Sequence, residues 1–140
     1  MSTGKRFEDR IKDWHKDLPC MTFKFPDYSC AGIMKRVWCD RITVTNGRVI
    51  FFEMKHTSSD TVLKKNAFRS HQLPTLLELE RRGAITRIMI ENGRGIVYML
   101  SPNKFVNLLG ERKQLHLVEL NEYIISRDKF RKWILSNVLQ

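Results

Sequence analysis

Asp40, Glu53 and Lys55 are the residues of this 140-residue chain whose types and spacing could do chemistry. They stand on either side of Asn46-Gly47, the preferred pair for a two-residue type I′ hairpin turn. The flanking stretches, Val37–Thr45 and Arg48–Lys55, are rich in β-forming residues. Such a turn sets Thr45 opposite Arg48 and carries Asp40 opposite Glu53. Alternation then places Ile42, Val44, Val49 and Phe51 on one apolar face, with Asp40, Glu53 and Lys55 at its far end. Side chains directly opposed in this way have Cβ atoms roughly 4.5–5.5 Å apart.

Two carboxylates that close repel. One remedy is a raised pKa on one acid, a second is Lys55 as neutralising partner, and a third is a divalent cation. All-oxygen ligands suit Mg²⁺ or Mn²⁺. Lys55 alone leaves one negative charge over. A metal with a lysine is the arrangement phosphodiester hydrolysis needs, with charge stabilisation at the phosphate and activation of water. Glu8 lies about a quarter turn from the centre of a helical apolar stripe and could reach inward at its rim as a third carboxylate. The bland reading salts Asp40 and Glu53 with Arg41 and Lys55. Two function classes therefore stand on these residues: a metal-dependent nuclease, and a basic nucleic-acid-binding module whose acidic pair is structural.

The elements that position them read as one mixed α/β domain over residues 1–140, with no repeat, linker or low-complexity tract. Phe7, Ile11, Trp14 and Leu18 mark an amphipathic helix from Thr3 to about Lys16. Met21–Phe25 alternates as a strand, and Pro26-Asp27-Tyr28-Ser29 is a turn. A polar loop is expected from His56 to Arg69, then a helix capped by Ser70 and ended by Gly83. Ile85–Glu91 and Ile96–Leu100 are strands about a turn at residues 92–95. Ser101-Pro102 opens a short helix towards Leu109, Leu115–Leu120 is a weaker strand, and Ser126 caps a last helix whose Phe130, Trp133, Ile134 and Val138 face the core. The aromatic residues Trp14, Trp38 and Trp133 read as packing.

Composition narrows the partners. There are 25 Lys and Arg against 15 Asp and Glu, a net charge of +10, which favours polyanions. No apolar run approaches the ~18–20 residues of a membrane span. Met1–Asp13 is too charged for a signal peptide, so a cytoplasmic protein is expected. Cys20, Cys30 and Cys39 cannot all pair within one chain and read as free thiols. Their spacing lacks the paired pattern of a zinc site.

The chain resembles the PD-(D/E)xK nucleases, and within them the RecU-type Holliday junction resolvases. The matching stretches are Gly4–Glu8, Thr22–Pro26, Cys39-Asp40, Ile50–Thr57 and Phe68–Leu73. The archaeal Hjc resolvases share the Glu…Asp…Glu-x-Lys skeleton. The resemblance implies a single restriction-endonuclease-like α/β domain, a mixed central sheet flanked by helices. Residues 4–100 would be the catalytic core, and 101–140 a helix-strand-helix completing it. It implies that Asp40, Glu53 and the Met54 carbonyl bind Mg²⁺, with Mn²⁺ as substitute. Lys55 would position water and steady the scissile phosphate, and Glu8 would act at the metal directly or through water. Lys24, Thr57 and Gln72 would lie near phosphates, and His71 gains a phosphate contact from the same match. Lys64, Lys65 and Arg69 are the basic residues expected to grip backbone phosphates. His56 alternates to the opposite face from Lys55 and is given no chemistry.

The reading is a Mg²⁺-dependent endonuclease cutting four-way DNA junctions as a homodimer in recombination and repair. Its alternatives are a nuclease of the same fold acting on duplex, flap or restriction-type substrates, and the non-catalytic module. RecU proteins carry a longer insertion before the strand bearing the Asp; here only Asp27 to Arg36 is available. With the small size, this gives the expectation of a phage or mobile-element origin.

Overall fold

The structure, a computed structural model, describes residues 3–25 and 39–139. Its centre is a five-stranded mixed sheet in the order β1-β2-β3-β5-β6. β1 (Met21–Lys24), β2 (Arg41–Thr45) and β3 (Arg48–His56) form an antiparallel meander. β5 (Ile85–Glu91) runs parallel to β3, and β6 (Val97–Leu100) returns antiparallel to β5. The β3-to-β5 crossover carries α2 (Gln72–Arg81), as a parallel pair requires. The first helix, α1, spans Thr3–Trp14 and the last, α4, Arg127–Leu139.

Both faces of β3 are covered, so its burial is nearly continuous from Ile50 to Met54. On one face Ile50, Phe52, Met54 and Met89 pack against Phe7, Ile11 and Trp14 of α1 and Phe130 and Ile134 of α4. On the other, Ile88, Ile90, Leu100 and Tyr98 meet Leu73 and Leu76 of α2 and Phe105 and Leu109 of α3 (Pro102–Leu109). Ser101 caps α3 through the Lys104 amide, and Ser126 caps α4 through that of Lys129.

The hairpin has the expected register, Thr45 opposite Arg48 through Arg41 opposite Phe52. Asn46 and Gly47 both have positive φ, 48° and 75°, as a type I′ turn demands. The apolar face of that hairpin is less covered than alternation implied. α2 reaches only its Glu53 end, and towards the turn Val49 is 40% exposed beside Met21 at 65%. The buried residues of β2 are instead Arg41, Thr43 and Thr45, on the α1 side. There His15, at the end of α1, donates to the Ile11 carbonyl and accepts from the Thr43 hydroxyl, both at 2.8 Å.

Three further expectations are corrected. The stretch from His56 to Arg69 is not a plain loop: β4 (Val62–Lys64) pairs with β7 (Gln114–His116) in a second, two-stranded sheet, and Lys65–Ala67 is a 3-10 turn. The strand expected at Leu115–Leu120 stops at His116, and Leu117–Tyr123 is 3-10 helix, with Leu117 and Leu120 buried three apart. Helix α2 begins after His71 rather than at a Ser70 cap, and His71 makes no side-chain cap bond. The expected turn at 26–29, the strand start at Val37 and Trp38, Cys30, the Asp27–Arg36 insertion and the packing of Val138 lie outside the described residues. Cys20 and Cys39 are free, and burial pushes the Cys39 thiol up to about 12. No helix of the described residues is long and apolar enough to cross a membrane.

Candidate active site

β2 ends one residue short of Asp40, and that shortfall builds the site. The Asp40 amide still donates to the Phe52 carbonyl at 2.9 Å. Past this point Met54 has no β2 residue opposite it in the ladder. The Asp40 carboxylate takes the role, its Oδ2 accepting from the Met54 amide at 2.7 Å. The acid is thereby fixed beside Glu53, at the end of the sheet where β3 outlasts β2 and stays paired with β5 alone.

Glu53 is 0% exposed. Its Oε1 accepts from Lys55 Nζ at 3.0 Å and from Gln72 Nε2 at 3.2 Å. Its Oε2 is buried with no hydrogen-bond partner, an arrangement that costs on the order of 1–3 kcal/mol, more for an ionised group. Burial first, and the Asp40 charge second, push the Glu53 carboxyl up to about 8, against the pull of Lys55. The repulsion expected from the hairpin register is thus present, and two of its three remedies act together: a raised pKa and a lysine partner.

Lys55 is held on three sides. Its Nζ meets Glu53, donates to Gln72 Oε1 at 3.0 Å and lies 5.1 Å from the centre of the Phe68 ring. Gln72 is the joint of the site, buried at the first turn of α2. Its Oε1 accepts from both Lys55 and the Arg69 amide, and its Nε2 donates to Glu53. The resemblance implies a place near a phosphate for Gln72; in the structure its side chain ties the acid to the lysine. A glutamine opening the helix after the Glu-x-Lys strand was the available signal.

Glu8 projects from α1 to the same end of the sheet. It lines an open cleft with Lys24, Met54 and His56. Burial and then Asp40 raise its pKa, while Lys24 and Arg41 pull it down. Arg41 does not salt the acid pair; it is buried on the α1 side and donates to the Thr22 hydroxyl at 3.1 Å. Among the described residues no three His, Cys, Asp or Glu side chains gather closely enough to hold a metal ion. The fit to a metal rests on the buried, unpartnered Glu53 Oε2 beside Asp40, an all-oxygen set suited to a hard divalent cation.

The remaining basic residues spread out from this centre. Lys64 is exposed on β4. Lys65 and Arg69 share a groove with Phe68, the ring under Lys55. His71 is half-buried at the start of α2. Thr57 is tied within its own loop, its hydroxyl donating to the Val62 carbonyl and accepting from the Ser59 amide, both at 3.2 Å. His56 was assigned no chemistry, yet it lines the cleft beside Glu8.

Comparison with known proteins agrees with this architecture. Sequence comparison with curated proteins finds no match. Among solved structures, Hjc of Archaeoglobus fulgidus, a Holliday junction resolvase from an archaeal hyperthermophile, is similar at a TM-score of 0.62. The identity is 12%, over 94% of this chain and 97% of that one. The likeness is one of fold, a mixed sheet flanked by helices. The family model of Recombination protein U matches residues 18–136. The chain belongs to that family, the RecU-type Holliday junction resolvases of the PD-(D/E)xK nucleases.

Proposed function

We propose that this protein is a Mg²⁺-dependent endonuclease that hydrolyses phosphodiester bonds in four-way DNA junctions, working as a homodimer. The observation that carries the reading is the buried Glu53 carboxylate, one oxygen unpartnered, set between Asp40 and Lys55. A purely structural ion pair has no use for an orphaned oxygen, whereas a cation site does. Family membership and the Hjc fold support the junction as substrate.

Asp40, Glu53 and the Met54 carbonyl would hold the cation. When bound, it supplies Lewis-acid polarisation of the phosphate and a more acidic water. Asp40 keeps its geometry through the Met54 amide, so β3 itself sets the spacing of the two acids. Gln72 holds Glu53 Oε1 in place, leaving Oε2 as the oxygen for the ion. Lys55, carried on the Phe68 ring and Gln72, offers its ammonium to the charge that grows on the phosphate. Glu8, across the cleft, accepts a hydrogen bond from water near Asp40. Lys64, Lys65, Arg69 and His71 are assigned to backbone phosphates beyond the cut, a contact that positions DNA without reading sequence.

The test is a pair of isosteric substitutions. Asp40→Asn and Glu53→Gln abolish metal-dependent cutting of a four-way junction while junction binding in a gel-shift assay is retained. Unchanged cutting in either variant overturns the assignment of the acids.

A further inference from the structure

Helices α2 and α3 pack side by side and leave a groove of about 270 Å³ between them. Leu73 and Leu77 form its α2 wall, and Val106 and Leu109 its α3 wall. Leu77 and Val106 are only half-buried, so apolar surface there still faces water. The volume lies at the small end of ligand pockets, which begin at roughly 300 Å³. It has room for one flat ring system and not for a helix or a strand.

The groove opens beside the acid pair without sharing its residues. Phe68 is the link: it lines the groove, and Lys55 Nζ lies 5.1 Å from its ring centre. Lys65 and Arg69 also border the groove, both exposed. Their backbones are pinned, the Lys65 amide donating to the Lys113 carbonyl and the Arg69 amide to Gln72 Oε1, both at 2.8 Å. Among the described residues that line the groove there is no acid. The result is an apolar slot behind two anchored cations, one ring away from Lys55. Such a slot suits a ligand that is anionic at one end and flat and apolar at the other. A nucleotide is that ligand: its phosphate meets the cations, and the two faces of its base pack between apolar walls. An apolar peptide gains nothing from Lys65 and Arg69. In an opened junction the base at the branch point lacks a stacking neighbour on one side, so turning it out costs less than in continuous duplex.

We propose that the groove between α2 and α3 receives one nucleobase turned out of the stack at the branch point, its flanking phosphate held by Lys65 and Arg69. The inference rests on the junction reading above and adds a base-binding subsite to it. A base seated there fixes the branch point at a set reach from Lys55, so the slot sets where the strand is cut.

The experiment places 2-aminopurine, in turn, at each base flanking the branch point of an immobile four-way junction. Stacking quenches this fluorescent base, unstacking restores its emission, and aliphatic walls leave it bright. The unsubstituted protein is added to saturation in EDTA, with the linear duplex as control and anisotropy to show that the DNA is bound. The expected result is a several-fold rise at one position of the junction and none in the duplex. Val106→Phe fills the groove from α3, and Ser70→Leu plugs its mouth; at saturation both leave the probe quenched. A bound junction with no rise at any position overturns the proposal. So does a rise that a folded variant retains in full, or one that the duplex matches. If Val106→Phe melts far below the parent, Ser70→Leu, at an exposed position, decides alone. The nuclease reading is scored separately, by metal-dependent cutting. Cutting with the probe quenched throughout removes the slot and leaves the acids in place; loss of both cutting and junction binding removes the reading on which the slot rests.

Discussion

Replacing Glu53 by glutamine stabilises the metal-free protein at pH 8 and not at pH 5. The carboxyl is raised from 4.5 to about 8 by burial and by Asp40. Folding therefore favours its neutral form. Its contribution to stability is fully present below 4.5 and is lost as the pH rises through about 8. At about 1.36 kcal/mol per pKa unit, the loss across that window is on the order of 5 kcal/mol. In Glu53→Gln the amide keeps an oxygen for Lys55 and Gln72 and places its nitrogen where Oε2 has no partner. The variant carries no charge to bury, so the loss disappears. Urea melts of both proteins in EDTA, at a series of pH values, give the difference directly. His15 does not confuse it, because His15 titrates alike in both. The expected difference rises from near zero at pH 5 to several kcal/mol in favour of Glu53→Gln at pH 8. A difference that is flat with pH, or a variant less stable at pH 8, refutes the reasoning: ionised Glu53 would then be satisfied by Lys55 as a structural ion pair.

Other expectations follow from the same geometry. Gln72→Ala removes the joint between Glu53 and Lys55 and lowers the cleavage rate on the order of 10–100-fold, the usual cost of losing a supporting partner at a metal site, with junction affinity kept; single-turnover kinetics measure it. His15 sits at about 4, lowered chiefly by burial. Its contribution is full above 6.5 and is lost as the pH falls through about 4, so His15→Gln flattens the acid limb of a stability-pH curve. Phe52 is fully buried between His15, Phe130 and Trp133, and Phe52→Ala costs about 3–5 kcal/mol in a denaturant melt.

How much of this was legible in the sequence depends on the range of the interactions. The hairpin was, because Asn46-Gly47 imposes both turn and register locally. From the register followed the closeness of Asp40 and Glu53. The helices α1, α3 and α4 were, since stripes and caps are written within a few residues. The small sheet of β4 and β7 was not. Its strands are three residues long, too short for a period to show, and they pair across the length of α2, β5, β6 and α3. The apolar period of Leu117 and Leu120 fits alternation poorly, and a 3-10 helix takes it up. The role of Gln72 depends on where the crossover lands α2; the helix-opening glutamine marks the residue but not the partners it meets. His56 and Glu91 likewise meet only through the parallel register of β3 and β5.

The most direct test of the account is the unsubstituted protein on a labelled four-way junction and the matching linear duplex, in Mg²⁺ and in EDTA. Paired, symmetric nicks on the junction alone, abolished by EDTA, are the predicted result. Tight junction binding with no cutting in Mg²⁺ or Mn²⁺ contradicts it, and makes the buried acid pair a structural feature of a basic DNA-binding domain.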